Sequence, residues 1–205
     1  MPQLAVLTGD IVKSSALPEG GLAQVFDGLE AAAAAVAEWQ DVAPHLTRAR
    51  GDSWQAVCAA PFALRAALSF RAGVRMTGKD HDTRIGLAVG AGAVTGANLA
   101  DADGPAFVAS GRALDDMART SRLATDSAPD CAPRALQAAL PLADHISSRW
   151  TVRQAQIALA SLALPAPTQD TLADRFKVSR QTIHSLQDAA GIRALIEVCE
   201  MLEHG

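Results

Sequence analysis

The chain has 205 residues, 49% of them apolar and 20% charged, with a formal net charge of −4. That composition suits a globular protein with a sizeable core and excludes a bulk electrostatic pull toward nucleic acid or anionic membrane. Cys58, Cys131 and Cys199 are odd in number and far apart, with no Cys-x-x-Cys. This argues against a disulfide framework or a structural zinc site. With no signal-peptide pattern and no apolar run of ~18 residues, a cytoplasmic protein without membrane contact is expected.

In chain order, Leu4–Thr8 reads as a short buried strand closed by Gly9-Asp10. Leu22, Val25, Phe26, Leu29, Val36 and Trp39 recur at helical spacing and predict an amphipathic helix ending near Gln40. Residues 44–50 and 54–58 predict two strands turned at Gly51-Asp52-Ser53. A helix opens at Pro61 and runs to about Met76. Thr83–Val89 predicts a strand, and Phe107–Ala109 a short strand leading into a helix over about 110–123. Asp103 is expected to cap a turn, and Trp54 to enter the core. His45 and His81 are expected in surface loops. The predicted order describes an α+β fold, a ferredoxin-like antiparallel sheet with helices on one face. In that arrangement the first strand pairs with the third. Asp10 and Asp52 are then brought together across 42 residues of sequence.

Residues 1–125 form the first expected domain, and 126–148, punctuated by Pro129, Pro133 and Pro141, a connector with one short helix. Residues 149–205 make a small all-α domain. Within it, Thr168 and Ser179 are predicted N-caps of helices over 169–176 and 179–190, joined by a turn at Lys177-Val178. Leu172, Ala173, Phe176, Val178, Ile183 and Leu186 face inward, a pattern that matches a helix-turn-helix. Arg180, Gln181, His184 and Ser185 then face outward, where they could read base edges, with Ser179 and Thr182 within reach of phosphates. Between Arg149 and Arg180, five basic residues stand against two acidic ones, so DNA is the expected partner, with pure helical packing as the alternative.

Four successive stretches, Gly9-Asp-Ile-Val-Lys-Ser-Ser15, Gly51-Asp-Ser-Trp-Gln-Ala-Val57, Arg84-Ile-Gly-Leu-Ala-Val-Gly90 and Gly111-Arg-Ala-Leu-Asp-Asp-Met-Ala-Arg119, resemble the motifs of class III nucleotidyl cyclases. Together with Asp103-Gly-Pro-Ala-Phe107 and the trailing helix-turn-helix, the chain resembles the SatD family of bacterial proteins. The resemblance implies a nucleotidyl-cyclase-like fold, a homodimer, and Mg²⁺ held by Asp10, Asp52 and the Ile11 carbonyl. It also implies nucleotide contacts from Arg48, at the base-reading position, and from Arg119, at the position that stabilises the transition state. This chain departs from the cyclase pattern at Asp115, where asparagine is usual, at Ala106, where a polar residue is usual, and at Arg48, where lysine is usual. Three readings follow. The leading one is a transcriptional regulator with a degenerate, nucleotide- or Mg²⁺-binding sensor domain. The others are an active metal-dependent cyclase or triphosphate hydrolase, and a dimerisation scaffold without a ligand.

Overall fold

In the computed structural model, which describes residues 3–40, 45–94, 99–126 and 132–204, β1 (Gln3–Ile11) is the middle strand of a five-stranded sheet. Its partners are β3 (Ser53–Ala59) and β4 (Thr83–Ala91), both antiparallel to it. β2 (His45–Arg48) extends the sheet beyond β3, and β5 (Leu123–Thr125) extends it beyond β4, in parallel. The expected pairing of first and third strands is therefore present, while the sheet is mixed rather than wholly antiparallel. Pro44, Pro129, Cys131 and the His45 side chain lie outside the described residues.

Side chains of β1 alternate between two buried faces, as strand geometry requires. Ala5, Leu7 and Ile11 join Trp54, Ala56, Ile85 and Leu87 under α1 (Gly21–Ala37) and α2 (Ala63–Arg75). Leu4 and Val6 join Val57 on the opposite face, which α3 (Pro105–Asp115) covers through Ala106 and Phe107. Helices thus pack on both faces, which corrects the expectation of one. Residues 107–109 are helical, not a strand, and the helix stops at Asp115 instead of near residue 123. The reason is local: Pro105 sits in the first turn, where its missing N–H costs nothing. Ala106, Ala109, Ser110, Ala113 and Leu114 then bury one helical stripe. α3 becomes the crossover between the parallel strands β4 and β5.

Every residue of α2 from Ala63 to Val74 is buried, because α4 (Arg134–Ser147), α5 (Val152–Ser161) and α8 (Ile192–His204) cover the side that faces away from the sheet. One apolar cluster runs from β1 through α2 into Leu136, Trp150, Ile157 and Leu195. It crosses the boundary expected near Arg149. The stretch read as a connector with one short helix carries the 14-residue α4, with Pro141 inside it. Burial of Leu136, Leu140, Ala143 and Ser147 along one stripe outweighs the ~3 kcal/mol helix penalty of proline. His81, expected on the surface, is buried and hydrogen-bonds Thr77 at 2.7 Å.

Two buried arginines bolt these layers together. Arg65 on α2 makes a two-point contact with Glu203 in the last turn of α8, at 2.6 and 2.9 Å. Arg71, fully buried, reaches Asp82 at 3.1 Å, Asp144 of α4 at 2.7 Å and the Ser147 hydroxyl at 2.8 Å. The remaining helices, α6 (Gln169–Phe176) and α7 (Arg180–Ala189), are joined by three residues, Lys177 to Ser179.

Candidate functional site

The central strand runs on to Ile11, so Gly9 and Asp10 lie inside the ladder and not beyond its end. Asp10 stands opposite Ser53 on β3 and Arg84 on β4. The glycine is needed because Trp54 packs against it: a Cβ at position 9 would fall 2.4 Å from the indole ring. Trp54 is fully buried and donates its Nε1–H to the Thr83 hydroxyl at 3.0 Å, and that hydroxyl donates to the Asp10 carbonyl at 2.7 Å. This chain fixes the backbone at Asp10. The second Gly-Asp forms the β2–β3 turn, with Gly51 at φ 73°, a left-handed conformation that glycine adopts without penalty. The Asp52 carbonyl accepts from the Ile11 N–H at 3.2 Å, tying the turn to the end of β1.

Asp10 and Asp52 border one cavity of about 390 Å³, shared with Ile11, Lys13, Ser14, Arg84, Arg119 and Arg122. Of the residues expected at the site, Asp10, Ile11, Asp52 and Arg119 are thus brought together. Arg48 is not. It is exposed, lies over the Phe26 ring at 4.0 Å and donates to the Gly51 carbonyl at 3.3 Å, outside the cavity. Ala106 is buried in the first turn of α3, also away from it. Arg119 lies in the turn after α3 and not on a helix running through Asp115, as the sequence suggested.

Three cations at this cavity carried no expected role: Lys13, Arg84 and Arg122. Arg84 contacts both Asp10 carboxylate oxygens, with Nε at 2.9 Å and the second contact from a terminal nitrogen. The hydrogen bond to Asp10 raises the Arg84 pKa above its ordinary value. Partial burial opposes this, and the charges of Asp10, Asp115 and Asp52 reinforce it. The Asp52 carboxylate accepts from the Ser14 hydroxyl. Arg122 stands 3.5 Å from Asp82, whose backbone carbonyl accepts from the Val12 N–H at 2.9 Å. Lys13, at φ 52°, and Arg119 make no side-chain hydrogen bond or ion pair with the described residues.

The donor set does not fit Mg²⁺ as arranged. A divalent ion on Asp10 would sit against the guanidinium that already spans the carboxylate, and the Ser14 hydroxyl engages one oxygen of Asp52. Among the described residues no group of three or more His, Cys, Asp or Glu is placed to hold a metal. The arrangement suits an anion: four cations border the cavity against two carboxylates, on a chain whose net charge is −4.

The other expected surface lies on α7. Ser179 caps the helix, accepting from the Thr182 N–H at 3.1 Å, and Ile183 is fully buried beneath it. Arg180, Gln181, Thr182, His184 and Ser185 are all exposed. Arg180 pairs with Asp170 at 3.1 Å and His184 with Asp188 at 3.1 Å, contacts so exposed that a partner can displace them at little cost. Asp103 accepts from the Gly104 N–H at 2.7 Å, the turn role expected of it. No protein-family model matches the chain, and comparison with curated proteins returns no match.

Proposed function

We propose that the chain is a DNA-binding regulator whose cavity binds a phosphate-bearing small molecule, with nucleotides as the leading class. The observation that carries this reading is the excess of cations at the cavity of an acidic chain. The sheet order β2-β3-β1-β4, with β1 antiparallel to both neighbours, supports the ferredoxin-like, cyclase-like reading of the N-terminal part. The buried Leu172, Ala173 and Ile183 beneath the polar face of α7 support the helix-turn-helix reading. Nucleotide turnover through paired metals is less well supported, because Arg84 and Ser14 engage the two carboxylates.

The cavity loop is tied through α2 to α4. The Asp82 carbonyl holds the cavity loop at Val12, and its carboxylate meets Arg71, which also grips α4 at Asp144. Calorimetry with ATP, GTP and cyclic nucleotides tests the ligand class. Binding that Arg119→Gln weakens is expected, and absence of binding to all of them overturns it. On DNA selected from a random pool, salt-sensitive retardation should weaken about tenfold or more in Arg180→Ala. No retardation at any concentration removes the DNA role. A two-fold site needs two copies of the chain, so sedimentation should report a dimer on DNA.

A further inference from the structure

We infer that this cavity binds a phosphate dianion directly, without a divalent cation, and that Arg84 supplies in fixed form the positive charge a metal ion would otherwise bring. The inference rests on the anion reading of the cavity and adds how the charge is provided. Two contacts support it. Arg84 spans both oxygens of Asp10, a two-point match between a planar guanidinium and a carboxylate that lysine or a hydrated ion does not reproduce. The register of β1 against β4 sets this pair, because Asp10 and Arg84 are direct cross-strand partners. The Ser14 hydroxyl engages one oxygen of the other carboxylate, on Asp52.

The charge arithmetic then follows from the wall of the cavity. Asp10 and Arg84 cancel, which leaves Asp52 against Lys13, Arg119 and Arg122. Among the residues that border the cavity the excess is two positive charges, which suits a phosphate group; Asp82 beside Arg122 and Asp115 near Arg84 lie outside that border. Lys13 and Arg119, which have no partner among the described residues, are the groups free to turn toward it. A Mg²⁺ ion entering at Asp10 must displace Arg84, shed water that it releases reluctantly, and face an uncompensated guanidinium nearby. The fixed arginine carries none of these costs.

The test uses the full chain and two probes. Inorganic pyrophosphate is titrated by calorimetry in excess EDTA and again with Mg²⁺, and Mn²⁺ binding is followed by electron paramagnetic resonance. Pyrophosphate should bind in excess EDTA, Mg²⁺, which complexes the free anion, should not strengthen that binding, and Arg119→Gln should weaken it about tenfold. Wild-type protein should show no saturable Mn²⁺ site that depends on Asp10, whereas Arg84→Gln, which frees the carboxylate, should gain one. Arg84→Lys, which keeps the charge, should show no Mn²⁺ site even if Arg84→Gln does not fold. A wild-type Mn²⁺ site lost in Asp10→Asn, or pyrophosphate binding that requires Mg²⁺, overturns the inference. If pyrophosphate binds under neither condition, the anion reading itself fails, and the inference falls with it.

Discussion

Glu203 lies in the last turn of α8, yet its side chain is only 5% exposed against Arg65, which is 1% exposed. The prediction is that Glu203→Gln destabilises the whole chain. Arg65 projects from the first turn of a helix buried on all sides and cannot swing to water. Without its carboxylate it keeps only neutral contacts, the Leu162 carbonyl at 3.2 Å and the Trp39 ring at 5.9 Å. Stranding one partner of a buried pair costs about 3–5 kcal/mol. For a chain of this length that corresponds to a fall in Tm of about 6–20 °C. The reverse change, Arg65→Met, should cost less, because Glu203 sits at a helix end and can turn outward into solvent. The double variant Arg65→Met/Glu203→Leu should recover most of the loss, since apolar replacement of a buried pair is often neutral. Thermal unfolding by circular dichroism, checked by urea titration, reads all three. The reasoning is refuted if Glu203→Gln loses under about 1 kcal/mol, or if Arg65→Met is the worse variant. Two separate transitions in the wild-type protein would equally contradict a core shared between the sheet and the C-terminal helices.

Gly9→Ala should destabilise by about 1–3 kcal/mol, since the new methyl must push Trp54 out of its place and break the Trp54–Thr83–Asp10 chain. A melt unchanged from wild type rejects that account. Burial pushes the Cys58 and Cys199 thiols up to about 12 from the ordinary 9.0, so both stay protonated in the native state where unfolded thiols ionise. Their contribution to stability is complete below pH 9 and declines as the pH rises from there toward 12. With Cys131 replaced by Ser, native protein at pH 8.5, about the pKa of a free thiol, should give no fast reaction with a thiol reagent. Rapid labelling of either cysteine before unfolding would contradict the burial.

Periodicity and caps made much of the chain legible in the sequence. The α6 bounds, the Thr168 and Ser179 caps and the inward positions Leu172 and Ile183 depend on contacts within a few residues, and those are written locally. The convergence of Asp10 and Asp52 was legible too, because pairing the first strand with the third leaves few alternatives. The Phe107–Ala109 segment misled because β-branched and aromatic character outweighed the signal of Pro105. Its helical state is decided by the sheet face that α3 covers. α4 was hidden by its prolines, and only the groove beside α2 gives Leu136 and Leu140 something to bury against.

The sequence by itself determined the apolar strand that runs into Gly9-Asp10, the turn at Gly51-Asp52 and the amphipathic order of the C-terminal helices. Tertiary structure alone decided which charges meet there. Asp10 faces Arg84, 74 residues away in sequence, because their two strands are in one register. Lys13, Arg119 and Arg122 share a cavity because a loop and the turn after α3 close over the end of that sheet. Local chemistry fixes where a carboxylate sits along its own strand, but its counter-ion comes from whichever distant segment the packed core delivers beside it.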